Sequence, residues 1–337
     1  MKSKVGYVLL IVLTVFAFTF SATEVAYAEE KVYLGGIPIG IGLAEDGLIV
    51  TGTVDVITDE GARCPARGSE ILTGDLIVSV NGKSISSARD FASEVQKADA
   101  DVTLTVKRGE QTFSVNLIPV TDTLTGLKKL GLILKNGING IGTLTFVTKE
   151  SLKFGALGHG IVDGDTGKLF IGDVGSLYAC RITGCKRAEE GKAGQLIGSF
   201  VDREHPIGEI RRCDAFGVYG TASPQMTSGL IEIPIASRKE IKTGDALIYS
   251  TIEGETPKAY KIEIIKTSSQ KKPQEKGMLI RVTDEALLSA TGGILQGMSG
   301  SPIVQNGKLV GAVTHVLVND STLGYGLYLD WMLQNAA

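Results

Sequence analysis

Gly297-Met298-Ser299-Gly300-Ser301-Pro302, running on into Ile303-Val304-Gln305-Asn306-Gly307-Lys308-Leu309-Val310-Gly311, decides how this chain is read. The second stretch is strand, turn, strand: two apolar runs broken by Asn306-Gly307. Ahead of it, small residues flank a serine and let the backbone turn tightly around its hydroxyl. In such a turn the N–H groups of Gly297 and Ser299 can converge on a point where negative charge develops during acyl transfer. The same composition also suits an ordinary turn, so the chemistry needs partners elsewhere. Ser301, two residues on, would point the same way in an extended stretch; the Gly-x-Ser-Gly frame favours Ser299 as nucleophile and leaves Ser301 to bond within the loop.

A serine nucleophile needs a base, and histidine suits because it titrates near neutrality. Three histidines are present. His159 lies between glycines in Phe154-Gly155-Ala156-Leu157-Gly158-His159-Gly160-Ile161, where a kinked backbone can present the ring to a cleft. His205 sits in the charged turn Asp202-Arg203-Glu204-His205-Pro206, and His315 falls on the strand after the serine loop, where a structural role is common. His159 is therefore the expected base. A third group should orient the imidazole. Asp163, Asp165, Asp173, Asp202, Asp214, Asp245 and Asp284 are the candidates, and spacing does not choose among them. Asp284 opens Thr283-Asp284-Glu285-Ala286-Leu287-Leu288, which also reads as a helix N-cap.

With 337 residues, 43 of them Gly and only 6% aromatic, the chain suits a mainly β architecture of two or three domains. The net charge of −3 without like-charge blocks excludes a nucleic-acid surface. Lys2 and Lys4 precede an apolar run from Val5 to Phe20, and Ala26-Tyr27-Ala28 is an A-x-A-like cleavage site, so residues 1–28 read as a secretory signal, cleaved or kept as a membrane anchor. Cys64, Cys180, Cys185 and Cys213 then belong to an exported protein, where a disulfide or separate thiols are both open. A zinc site built from the last three with His205 matches no familiar spacing, and no metal or other cofactor is expected.

Residues 32–120 read as one unit. Gly74-Asp75-Leu76-Ile77-Val78-Ser79-Val80-Asn81-Gly82 resembles the most specific segment of PDZ domains, with a helix around Phe91 and Val95 and a hairpin turning at Arg108-Gly109-Glu110. In that family a loop and the strand after it hold a peptide C-terminus. Here Ile37, Pro38, Ile39, Gly40 and Ile41 fit that description, with Pro38 lacking an N–H. A docking module that binds no free peptide is the plainer alternative. Residues 121–135 read as a connector and 136–337 as two small β-barrels.

The serine loop resembles that of trypsin-like serine proteases. Gly155-Ala156-Leu157-Gly158-His159-Gly160-Ile161, Val282-Thr283-Asp284, the serine loop and Ala312-Val313-Thr314-His315-Val316-Leu317-Val318-Asn319-Asp320 together resemble the SpoIVB peptidase family (stage IV sporulation protein B), in order and across essentially the whole chain. The resemblance implies a PDZ domain followed by a trypsin-like double β-barrel, with His159 as base, Asp284 as orienting acid and Ser299 as nucleophile. It departs from the trypsin pattern in placing that acid shortly before the serine rather than far upstream. It further implies export into the space between forespore membranes, self-cleavage, and cutting of a regulatory subunit of a membrane-embedded protease complex that releases late mother-cell transcription. A noncatalytic PDZ scaffold at the membrane is the competing reading.

Overall fold

The computed structural model describes residues 30–43, 46–172 and 175–337, so the expected signal segment and Asp173 lie outside the described residues. Among the described residues no helix is long and apolar enough to cross a membrane. The principal strands are β1 (Lys31–Leu34), β2 (Pro38–Leu43), β3 (Leu48–Thr53), β4 (Leu76–Val80), β5 (Val102–Arg108), β6 (Gln111–Leu117), β7 (Leu132–Lys135), β8 (Ile138–Thr148), β9 (Lys153–Ala156) and β10 (Gly175–Lys186). They continue with β11 (Gln195–Phe200), β12 (Gly208–Asp214), β13 (Gly217–Ala222), β14 (Gly244–Ser250), β15 (Lys258–Thr267), β16 (Met278–Val282), β17 (Pro302–Gln305), β18 (Lys308–Leu317) and β19 (Asp320–Tyr328). The α-helices among the described residues are α1 (Ala88–Gln96), α2 (Glu285–Thr291) and α3 (Leu329–Ala336).

The mainly β expectation with a PDZ unit and two barrels is what the chain builds. In the first barrel β9 pairs with both β13 and β8, which closes the ring β2-β8-β9-β13-β12-β10. The second is the closed barrel β14-β15-β16-β19-β18-β17. Alternation fills each interior: Ile39, Ile41 and Leu43 of β2 meet Leu144, Phe154 and Leu177 in the first, and Ile248, Ile262, Ile280 and Ile303 meet in the second. Glycines on the strands make room for close packing where the barrel curves. Gly142, for example, faces Leu157, whose Cδ2 would lie 2.0 Å from an added Cβ.

The PDZ unit is an insertion, and this corrects the boundaries expected from sequence. Its sheet runs β7-β3-β4-β5-β6, with α1 packed on it around Val95, Leu104 and Val106. It therefore uses residues from Leu48 through Lys135 rather than 32–120. Residues 121–135 are no mere connector: Lys128 and Lys129 pair with Thr121 and Val120 respectively, and β7 is a strand of the sheet itself. The expected peptide-binding residues Ile37, Pro38, Ile39, Gly40 and Ile41 belong elsewhere. Pro38 to Ile41 lie in β2, which is flanked by β8 on one side and β10 on the other, so both edges of the strand are taken. Ile39 and Ile41 are core residues of the first barrel, and Ile37 packs at the margin of the same cluster. An apolar-Gly-apolar run suits a barrel strand as well as a peptide-holding loop, and the hydrophobic pattern alone does not separate the two.

Candidate active site

Ser299, His159 and His315 line one cleft of about 1080 Å³, together with Gly297, Leu157, Ile141 and Leu196. Barrel one brings the histidine and barrel two the serine.

The serine loop is held from outside by β8. Thr143 N–H donates to Ser299 O at 3.0 Å, Thr143 Oγ1 to Gly297 O at 2.9 Å, and Thr145 Oγ1 to Gly300 O at 2.8 Å. With these carbonyls fastened outward, the loop's amides are set in turn. Gln296 N–H goes to Gly194 O, Met298 N–H to Leu295 O, Gly300 N–H to Val313 O and Ser301 N–H to Met298 O. Among the described residues, the N–H groups of Gly297 and Ser299 have no partner within the chain. Those two amides are the donors expected of an oxyanion site. Gly297 and Gly300 adopt φ of +98° and +94°, which a side chain would resist. Leu196 N–H, at the start of β11, donates to Gln296 O at 2.8 Å, so the strand paired with β10 of the first barrel also steadies the approach to the loop.

Ser299 Oγ donates to Thr314 O at 2.8 Å, so its proton is not given to His159 in this arrangement. Hydrogen bonds between catalytic groups are often long or poorly aligned before substrate binds, and a change of χ1 between staggered wells would release this hydroxyl from Thr314 O. Ser301 is fully buried, and its hydroxyl donates to Ser250 Oγ at 3.0 Å inside barrel two, so it is structural.

His159 follows a sharp reversal in which Leu157 and Gly158 take φ of +69° and +73°. Its Nδ1 lies 2.7 Å from Gly160 O. A carbonyl only accepts, so Nδ1 carries the proton and the neutral ring keeps a lone pair on Nε2, the tautomer a general base needs. Burial holds its pKa below the ordinary 6.5, with the Gly160 carbonyl and the charge of Glu275 opposing more weakly. The His315 ring lies 5.1 Å from the His159 ring, centroid to centroid, tilted by 41°. Burial, the neighbouring His159 and Lys276 push His315 down to about 4. His315 Nε2 lies 3.9 Å from a Glu275 carboxylate oxygen, and its buried Nδ1 has no partner.

Asp284 is not brought to His159. It is the N-cap of α2: one carboxylate oxygen accepts from Leu287 N–H at 3.0 Å and the other from Lys261 N–H at 3.1 Å. It does not line the cleft. This corrects the expected acid, and the reason is local: Thr283-Asp284-Glu285 opens a helix whose bare amides take the carboxylate. The other candidates are also committed. Asp163 and Asp165 pair with Lys135, Asp202 with the exposed His205, and Asp214 with Arg212 and the Phe216 N–H. Asp245 lies on β14, away from the cleft lining. In place of a carboxylate, the partner of His159 Nδ1 is the Gly160 carbonyl.

One consequence is a measurable pH profile. A base whose pKa is lowered by burial is already deprotonated at neutral pH, so acylation of Ser299 should rise with pH to a plateau whose midpoint lies below 6.5. Stopped-time labelling with a fluorophosphonate between pH 4.5 and 8 checks this. A midpoint above 6.5 would mean that a carboxylate stabilises the imidazolium after all.

The PDZ groove lies between α1 and β7. A pocket of about 340 Å³ there is lined by Phe91 and Val95 of α1 and by Leu130, Gly131 and Leu132. Among the described residues β7 is the end strand of its sheet, with no strand paired on its outer edge. Leu130-Gly131-Leu132-Ile133 carries the same apolar-Gly-apolar pattern leading into a strand as Ile37 to Ile41. The cysteines are free thiols; burial pushes Cys180 and Cys213 up to about 11, away from thiolate chemistry.

Two family models agree with this architecture. The SpoIVB peptidase S55 family model matches residues 126–333, and a PDZ-domain model matches residues 56–108. No match was found among curated proteins. Among solved structures, the chain is similar to the PDZ domain of the SdrC-like protein Lmo2051 from Listeria monocytogenes, at 22% identity over 27% of this chain and 88% of that one, with a TM-score of 0.22. It is also similar to the Rv3671c protease of M. tuberculosis in its active form, at 16% identity over 59% of this chain and 73% of that one, with a TM-score of 0.34. The inactive form of the Rv3671c protease matches at 16% identity over 58% and 84%, with a TM-score of 0.33. With the family model spanning more than half of its length, the chain belongs to the SpoIVB peptidase S55 family and is a PDZ-containing serine peptidase.

Proposed function

We propose that the protein is an exported sporulation endopeptidase in which His159 and Ser299 carry the chemistry. The observation that carries this reading is the serine loop, with two partner-free amides sharing a cleft with a histidine held in the basic tautomer. Ser299 Oγ attacks the scissile carbonyl while His159 Nε2 takes its proton. The N–H groups of Gly297 and Ser299 receive the oxyanion, His159 returns the proton to the leaving amine, and water then attacks the acyl-enzyme by the same route. Gly160 O keeps the ring oriented during both transfers. The substrates proposed are the protein itself and the regulatory subunit of a membrane-embedded protease complex, reached from the space between forespore membranes. The α1/β7 groove takes an apolar peptide C-terminus as an added strand on β7, either a partner's or the enzyme's own.

Fluorophosphonate labelling tests the reading. The folded protein should be labelled covalently, Ser299→Ala should take no label while keeping its thermal transition, and Ser301→Ala should still be labelled. A folded protein that takes no label at all would support the noncatalytic scaffold instead.

A further inference from the structure

The loop that follows His159 is tied to the PDZ sheet by a charge cluster at the rim of the catalytic cleft. Lys135, the last residue of β7, pairs with the carboxylates of Asp163 and Asp165. Asp163 is only 3% exposed, and its carboxylate also accepts from the N–H groups of Thr166 at 2.9 Å and Asp165 at 3.2 Å. Its backbone closes the loop, donating to Lys168 O at 2.9 Å and accepting from Gly167 N–H at 2.8 Å. Lys168 Nζ in turn donates to Gly74 O at 2.8 Å, in the turn that precedes β4 of the PDZ sheet. Two lysines thus fasten residues 163–168 to the inserted unit. The segment begins four positions beyond His159, whose ring depends on the Gly160 carbonyl for its orientation.

We propose that Lys135 is a positioning residue for catalysis, fixing the His159–Gly160 turn by neutralising and anchoring Asp163 from the end of the PDZ strand. A buried carboxylate left without its cation draws in water or shifts toward it, and the loop moves with it. A turn displaced by a fraction of an ångström leaves Ile41, Ile138, Ile141, Leu196 and Gly297 in place on the opposite parts of the cleft wall, so ligand still binds, but it no longer aims Nε2 at the serine hydroxyl. The loss therefore falls on the chemical step. Lys135 ends the strand proposed to receive peptide, so this cluster joins the PDZ groove to the loop that follows the catalytic base.

The inference rests on the proposed peptidase reading, and the experiment separates the two. Fluorophosphonate inactivation of the full chain is measured as kinact and KI. For Lys135→Met, kinact should fall about 10- to 100-fold with KI within about twofold, the scale expected for a misplaced base. Lys135→Arg, which keeps the charge, should recover most of the rate. Lys135→Met combined with Asp163→Asn should lose no more than the single Lys135→Met change, since the two act as one unit. If Lys135→Met does not fold, Lys168→Met, which unties Gly74 O without stranding a buried charge, should lower kinact about threefold. A wild-type kinact in Lys135→Met or, where that variant does not fold, in Lys168→Met, or a change confined to KI, overturns the positioning role. A wild-type protein that takes no label overturns the peptidase reading itself.

Discussion

His159→Ala is expected to lower the rate of Ser299 acylation by about 10⁴-fold or more, whereas Asp284→Ala should leave that rate within about threefold. The asymmetry follows from where the two side chains sit. His159 faces the cleft with a free lone pair on Nε2, and His315, its ring neighbour, is pushed to a pKa of about 4 and is the weaker base at any working pH. Asp284 spends both oxygens on backbone N–H groups at the start of α2. Its removal should instead cost about 1 kcal/mol of stability, the usual value of an N-cap, and lower the thermal midpoint by about 3 °C. Paired measurements of inactivation rate and thermal unfolding on the two variants decide the matter. A 10³-fold or greater loss in Asp284→Ala with an unchanged midpoint would place that carboxylate in the catalytic machinery.

Gly300→Ala is expected to abolish labelling and to lower stability by roughly 3–5 kcal/mol, a drop of about 10 °C in the thermal midpoint. The added Cβ would lie 2.0 Å from Thr143 O and 2.6 Å from Leu157 N, both backbone atoms of barrel one, at a φ of +94°. Neither neighbour can swing aside, so the serine loop must lift off β8. The bonds from Thr143 and Thr145 that aim its amides inward would then break. Gly184→Ala on β10 is the control: nothing lies within 4 Å of its Cβ position, and its stability should stay within about 0.5 kcal/mol of wild type. Retained labelling in Gly300→Ala would mean that the loop is not held by barrel one in the way described.

The parts of the molecule legible in sequence are those where local chemistry and tertiary role coincide. Glycines around Ser299 and His159 serve both a turn and a reacting group, and the structure uses Gly158 and Gly297 at positive φ. The Gly-Asp-Leu-Ile segment forms the entry to β4, as the PDZ resemblance implies. What sequence does not separate is equivalent local pattern with different partners. Ile37 to Ile41 and Leu130 to Ile133 are both apolar runs with glycine before or within a strand. Only long-range pairing assigns the first to a barrel and the second to the PDZ edge. Asp284 illustrates the converse. Its local reading as a helix cap describes its contacts, and the catalytic role suggested by family resemblance does not find it beside the base. The Gly160 carbonyl, which takes the orienting position, has no side-chain signature at all.

The insertion has a bearing on how the enzyme comes into being. β2 and β8 are register partners, Ile41 opposite Gly140, yet the whole PDZ unit is threaded between them. A chain emerging N-terminus first therefore presents β2 long before the strand it must join, and closing so wide a gap is entropically easier once the intervening unit has collapsed and brought its two ends together. Pairing of β2 with β8, and with it the seating of the imidazole, is thereby favoured by prior folding of the module in its midst.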